Sequence, residues 1–256
     1  MSRNLKPVKS IPPLPLSDNM KTSMEGISIV ETKEGSHTLY NSTLHEHYHS
    51  MLGALQESMH VFIRNGFCKA LENKKDLSIL EMGFGTGLNA ILTFRENQIY
   101  HKRVHYTGID IQPLPLPVVN KLNYFRYFGN SLQPVFEKMH AGKWFEWLNI
   151  DYPFSAPLPK NQKASFSLLK IETDILDHRF EDHYDLIYYD AFSPAHQSQL
   201  WQGELFRKIY EVSNKGAVLV THYAKDEVKK TLESVGFTVE VLPGLMGKKE
   251  MLRATK

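Results

Sequence analysis

Cysteine is nearly absent from this chain: Cys68 is the single one among 256 residues. An internal disulfide is therefore excluded, and the usage suits a reducing compartment. No cysteine pair exists to bind zinc, and the 12 histidines form no HExxH or comparable spacing, so no metal is expected. A strong charge of one sign is also lacking. Lys and Arg total 30 against 28 Asp and Glu, a net charge of +2, too weak a bias to diagnose nucleic-acid binding. No apolar run reaches the roughly 18 residues that cross a bilayer. The opening stretch MSRNLKPVKSIPPLPLSDNMK has no continuous apolar core of a secretory signal. No membrane association is expected, the cytoplasm is the expected location, and nothing in the sequence fixes an oligomeric state.

What is present points to a globular protein. Hydrophobic residues make up 42% and charged residues 23%, which excludes disorder along the whole chain. The length suits one core with attachments. Residues 1–49 read as an arm without periodicity followed by a β-hairpin, Ile27 to Glu31 and Ser36 to Asn41, turning at Lys33-Glu34-Gly35. Residues 50–256 read as the main domain. It opens with helical spacing from Ser50 to Phe67 (Leu52, Leu55, Met59, Phe62, Ile63), with Gly66 as the expected stop.

Strands and helices then alternate. Strands are expected at Leu77 to Met82, Val104 to Ile109, Ser167 to Thr173, Asp185 to Tyr189 and Gly216 to Thr221. Helices are expected at Leu88 to Asn97, Leu116 to Phe128 and Lys225 to Ser234. Such alternation predicts an α/β fold with a parallel sheet wrapped by helices. Phe237 to Leu242 and Glu250 to Ala254 lie too close together for a crossover helix, so one of them runs antiparallel. Residues 130–165, rich in aromatics and proline, interrupt the rhythm and read as an insertion.

Between the first core strand and its helix lies Glu81-Met82-Gly83-Phe84-Gly85-Thr86-Gly87-Leu88-Asn89. Glycines there permit a tight turn and close backbone approach to a ligand, and the helix N-terminus favours negative charge. The spacing is GxGxG rather than GxGxxG, and the Lys-Ser/Thr ending of a phosphate loop is missing. Both facts disfavour a dinucleotide or a nucleoside triphosphate. Asp110, at the end of the next strand, is placed to accept the ribose hydroxyls of an adenosine. Adenosine without phosphates points to S-adenosylmethionine as the cofactor. Its carboxylate can use the N–H groups around Gly83, Gly85 and Gly87, and Glu81 or a strand-end carbonyl can accept its ammonium. Asp174 either reaches the adenine amino group or caps the following turn. Glu81, Asp110, Asp174 and Asp190 all end strands on one edge, which favours a cationic ligand.

Tyr188-Tyr189-Asp190-Ala191-Phe192-Ser193-Pro194-Ala195 closes the fourth core strand. Asp190 is a candidate to orient an amine nucleophile, to act as a general base, or to contact the cofactor. An alkylammonium holds its proton to a pH of about 10, whereas a carboxylate takes one up only at about 4. Orientation and electrostatic attraction are therefore the preferred role, with Phe192 and Pro194 as a rigid apolar wall.

The set EMGFGTGLN, YYDAFSPAHQSQLW, THYAKDEVKKTLESVGF and PGLMGKKEML, with HYHSMLGALQESMHVFIRNGF before it, resembles the methyltransferase domain of MnmC-type tRNA modification enzymes over roughly residues 40–256. The resemblance implies a Rossmann-like class I fold with a seven-stranded, mostly parallel sheet carrying one antiparallel strand. It implies methylation, from S-adenosylmethionine, of the aminomethyl group of 5-aminomethyl-2-thiouridine at the tRNA wobble position. Gly83, Gly85 and Gly87, with Asn89 beside them, take the place of the family's cofactor turn. Asp110 takes the place of its ribose-binding acid, often Glu, and Asp190, Phe192 and Pro194 that of its DxFxP loop. Bifunctional members add an FAD-dependent oxidase domain, for which this length leaves no room. The anticodon loop would need phosphate contacts, for which Lys225, Lys229, Lys230, Lys248 and Lys249 are candidates, with Arg3, Lys6 and Lys9 of the arm. Trp201 or Phe192 would stack on an everted base, and His196 and His222 are expected to be structural. Two other classes share parts of the pattern. A polyamine aminopropyltransferase has the sheet and the strand-end Asp, but its turn usually reads GGGDG. A non-catalytic adenosine- or RNA-binding module would not need Asp190.

Overall fold

The computed structural model describes residues 26–72, 74–152, 164–245 and 250–256. The arm and Lys248 and Lys249 lie outside the described residues. Strand β1 (Ile27–Glu31) pairs antiparallel with β2 (His37–Asn41), and a short β3 (Glu46–His47) adds to β2. Gly35, at φ 89°, makes the turn between the first two.

Helix α1 starts at Ala54–Ser58, widens into π-helical turns at Met59–Phe67 and closes at Cys68–Ala70. It therefore passes Gly66 instead of stopping there. Gly66 is a contact point: a Cβ on it would lie 2.9 Å from Val220 and 3.1 Å from Tyr188. The missing side chain lets the helix lie close on the sheet.

The main sheet holds β4 (Asp76–Met82), β5 (Arg103–Asp110), β6 (Leu148–Ile150), β7 (Ser165–Glu172), β8 (Tyr184–Tyr189), β9 (Ser213–Thr221), β10 (Thr238–Pro243) and β11 (Glu250–Thr255). Its order is β10-β11-β9-β8-β4-β5-β7-β6. The five strands from β9 to β7 are parallel, and β11 runs against β9 and β10 as expected. An eighth strand, β6, comes from the interrupting segment and caps the β7 edge antiparallel. The fold is Rossmann-like α/β, with one strand more than the seven expected.

Helices cover both faces. Leu77, Ile79, Leu186, Tyr188, Val218 and Val220 point into one core, against α1 and α2 (Leu88–Tyr100). The alternate residues Leu80, Met82, Ile187, Tyr189, Ala217 and Leu219 point into the other, as the two-residue strand period requires. There they meet the helices Gly203–Glu211 and Asp226–Ser234. Burial on both faces is the usual condition of a parallel sheet.

The helix expected from Leu116 to Phe128 is broken into Leu116–Val119 and Phe125–Phe128. Asn123, between the halves, accepts from the His37 N–H at 2.7 Å and donates to the Gly35 carbonyl at 2.8 Å. The chain leaves the helix there and fastens the β1–β2 hairpin to the main body. No helix among the described residues is long and apolar enough to cross a membrane.

Candidate active site

Register brings the strand ends level. Met82 lies opposite Ile109 and Tyr189, Asp110 opposite Glu172, and Tyr188 opposite Val220. Beyond this line opens a cavity of about 430 Å³, a size suited to one small ligand. Its position, outside the carboxyl ends of parallel strands, is where open α/β sheets take ligands.

The glycine turn forms one wall. The N–H groups of Gly83 and Phe84 both donate to the Ile109 carbonyl, at 2.9 and 3.1 Å. Gly83 has φ 85°, and a Cβ on it would sit 2.6 Å from the Asp190 carbonyl oxygen. Glycine is required there twice, by the backbone angle and by the contact. The Gly85 N–H donates to Asp110 Oδ2 at 2.7 Å, and the Gln112 N–H to Oδ1 at 2.8 Å. Burial pushes the Asp110 carboxyl up, and those N–H groups pull it back. Gly87 lies off the cavity, and a Cβ on it would sit 2.7 Å from His140 Nε2. His140 Nε2–H donates to the Thr86 carbonyl at 3.1 Å, and burial lowers the imidazole to about 4.

Glu81 lies beneath the cavity and not on it, only 1% exposed. Burial, and then the neighbouring charge of Asp190, raise its carboxyl well above the usual range. Asn89, on the first turn of α2, joins the two acids. Its Nδ2 donates to Glu81 Oε1 at 3.0 Å and to Asp190 Oδ2 at 2.8 Å. Asp190 Oδ1 lies 3.5 Å from His222 Nδ1, at the end of β9. The Asp190 carboxylate is thus held by Asn89, with His222 beside it, and is not spent on a helix cap.

Asp174 lines the cavity and also accepts from the Leu176 N–H at 2.9 Å, closing a turn. Phe192 lines the cavity, whereas Pro194 stands outside it. Trp201 is not available for stacking on a base. It is buried against Tyr189 and Phe206, and its Nε1–H donates to the Phe192 carbonyl at 2.8 Å.

Sequence reasoning missed the contribution of the N-terminal segment. Glu46 accepts from both the N–H and the hydroxyl of Ser193, each at 3.2 Å, and lies 3.8 Å from His196. The Tyr48 ring packs edge-on to Phe192 at 5.1 Å and would lie 3.3 Å from a Cβ on Gly85. Burial and the charge of Asp110 push its phenol up. The stretch HEHYHS was the available signal, a cluster of polar and aromatic residues between the hairpin and the first helix.

Lys225 and Lys230 are exposed and Lys229 lies 3.8 Å from Glu233; none of the three lines the cavity. No group of three or more His, Cys, Asp and Glu among the described residues is arranged to hold a metal ion.

S-adenosylmethionine suits the residues present. The two cavity glycines expose backbone that a Cβ would block, Asp110 offers a carboxylate at the strand end, and Asn89 Oδ1 is a buried acceptor without a partner among the described residues. Comparison with known proteins agrees. Residues 136–256 match a family described as S-adenosyl-L-methionine-dependent methyltransferase. The chain is 26% identical over 225 residues to the tRNA 5-methylaminomethyl-2-thiouridine biosynthesis bifunctional protein MnmC of Cupriavidus metallidurans, covering 84% of this chain and 32% of that protein. The MnmC of Cupriavidus necator is 28% identical over 227 residues, with the same coverage. The chain spans about a third of the length of these curated relatives. The crystal structure of MNMC2 from Aquifex aeolicus superposes with a TM-score of 0.69 at 23% identity, over 92% of this chain and 72% of that one. Spermidine synthase from Thermotoga maritima superposes at 0.56 with 11% identity, over 90% of this chain and 69% of that one, a likeness of fold alone. With the glycine turn, the strand-end acids and the DAFSP loop on one cavity, the chain is similar over residues 136–256 to the S-adenosyl-L-methionine-dependent methyltransferase family and over 84% of its length to about a third of the length of the MnmC proteins, and it shares the fold of MNMC2.

Proposed function

We propose that the chain methylates the primary amine of 5-aminomethyl-2-thiouridine at the wobble position of tRNA. The observation that carries this reading is Asp190. Its carboxylate is fixed by Asn89 at 2.8 Å and shares a wall with the glycine turn, so an amine drawn to it arrives beside the cofactor. The MnmC relatives, named for tRNA 5-methylaminomethyl-2-thiouridine biosynthesis, point to tRNA and to this nucleoside.

When bound, S-adenosylmethionine supplies an electrophilic methyl group. The chain's own residues do the rest. Asp110 holds the ribose hydroxyls, and the glycine turn, bare of side chains at Gly83 and Gly85, lets the cofactor's amino-acid end lie close to the backbone. Asn89 Oδ1 accepts from the ammonium, the part first expected of Glu81. Asp190 draws in the substrate ammonium and orients it, while Phe192 shapes the slot and keeps water out. Pro194 stiffens the loop behind it. Lys225, Lys229 and Lys230, with Lys248 and Lys249, are the phosphate contacts for the anticodon arm.

Incubation with methyl-labelled S-adenosylmethionine and an anticodon stem-loop carrying 5-aminomethyl-2-thiouridine tests the proposal. Label in the wobble nucleoside is expected. Absence of label, or aminopropyl transfer to putrescine from the decarboxylated cofactor, overturns it.

A further inference from the structure

Resting on the proposed amine methylation, we propose that His222 receives, through Asp190, the proton that the substrate ammonium sheds before it attacks. The nitrogen has no lone pair until that proton leaves. A carboxylate is a poor resting place for it, since ammonium and carboxylic acid differ by about six units in pKa. An imidazole ordinarily exchanges its proton at about 6.5, a smaller gap. The geometry supplies one behind the carboxylate. His222 Nδ1 is buried, has no hydrogen-bond partner among the described residues, and lies 3.5 Å from Asp190 Oδ1. His222 follows β9 and lines the cavity on the same side as Asp190.

Several other titratable groups near the cavity have contacts of their own, and the His47 ring packs on Tyr40 at 4.9 Å. His49 contacts Thr38 Oγ1 at 3.1 Å and Thr86 Oγ1 at 3.5 Å. His196 lies beside Glu46, and Glu57 accepts from the Ser50 N–H at 2.7 Å. The charged group beside His222 is Asp190, from the loop after β8, and Glu57 of α1 and Glu250 of β11 line a small cavity together with His222.

The step balances without an oxidant or reductant. An ammonium N–H bond breaks and its electron pair stays on nitrogen as the attacking lone pair. The proton passes to the Asp190 carboxylate and from Oδ1 to Nδ1. The imidazolium then pairs with Asp190 and releases its proton to water when the product leaves. His222 acts through Asp190 and does not touch the methyl group.

His222→Gln and His222→Phe test this, the first polar and the second a ring, neither able to take the proton. The same modified stem-loop is the substrate, kcat is measured from pH 6 to 9.5, and cofactor affinity is measured by calorimetry. Near pH 7 the variants should turn over about 100-fold slower. The deficit should close to a few-fold by about pH 9.5, where about a quarter of the substrate amine arrives already deprotonated. The cofactor Kd should stay within about twofold, the loss lying in proton removal alone. A deficit constant with pH, or none, overturns the relay and leaves His222 as packing. A cofactor Kd weakened in step with kcat also overturns it. Failure of the unaltered chain to methylate the stem-loop at any pH overturns the amine reading as well, so the two failures are distinguishable.

Discussion

The two halves of the candidate site are built differently. The cofactor half is local: Gly83, Gly85, Asn89 and Asp110 come from one strand–helix–strand unit and are tied within it by the Gly85–Asp110 bond. The substrate half is assembled from three distant places: Glu46 from the N-terminal segment, Asp190 to Ser193 after β8, and His222 after β9. A local cradle forms wherever the fold forms. An assembled wall depends on each remote contact, so its shape is easier to alter without loss of the fold.

The largest effect should come from joining the halves by force. Gly83→Ala places a methyl group against the Asp190 carbonyl at an unfavourable φ, and both walls must move. Cofactor affinity should weaken on the order of 100-fold by calorimetry; an unchanged Kd would show that the turn tolerates a side chain. Glu46→Ala should act on the assembled half alone, lowering kcat/KM about tenfold with the cofactor Kd and Tm little changed. A matching loss of cofactor affinity would show that the N-terminal segment serves both halves. The smallest effect lies behind the cofactor turn. His140, at about 4 when folded against an ordinary value of 6.5, stays neutral while the unfolded chain takes a proton. Stability is therefore full above about pH 6.5 and is lost as pH falls towards 4, by about 1 kcal/mol between pH 7 and pH 5.5. Denaturant titrations of His140→Gln at both pH values should show that increment removed.

Legibility in the sequence followed the same division. The glycine turn, Asp110 and the alternation of strands could be read because their signals are contiguous. The eighth strand, three residues long, has no periodicity of its own and exists through its pairing with β7. Gly66 looked like a stop because nothing local announces the close approach of Val220 and Tyr188. The break near Asn123 and the grip of Glu46 on Ser193 are long-range bonds, 86 and 147 residues apart. Trp201, a stacking candidate from its place after a polar loop, is instead buried and donates its indole N–H to the Phe192 carbonyl, nine residues away.

The division of labour between the two strand-end acids is most directly tested by Asp110→Asn and Asp190→Asn, with cofactor Kd by calorimetry and kcat at saturating cofactor measured on each. The account predicts a crossed result. Asp110→Asn should weaken cofactor binding about tenfold or more with kcat within a few-fold, as expected for a lost charge-assisted hydrogen bond. Asp190→Asn should leave the Kd within about threefold and lower kcat on the order of 100-fold. Equal loss of cofactor binding in both variants would contradict it and make Asp190 a cofactor ligand.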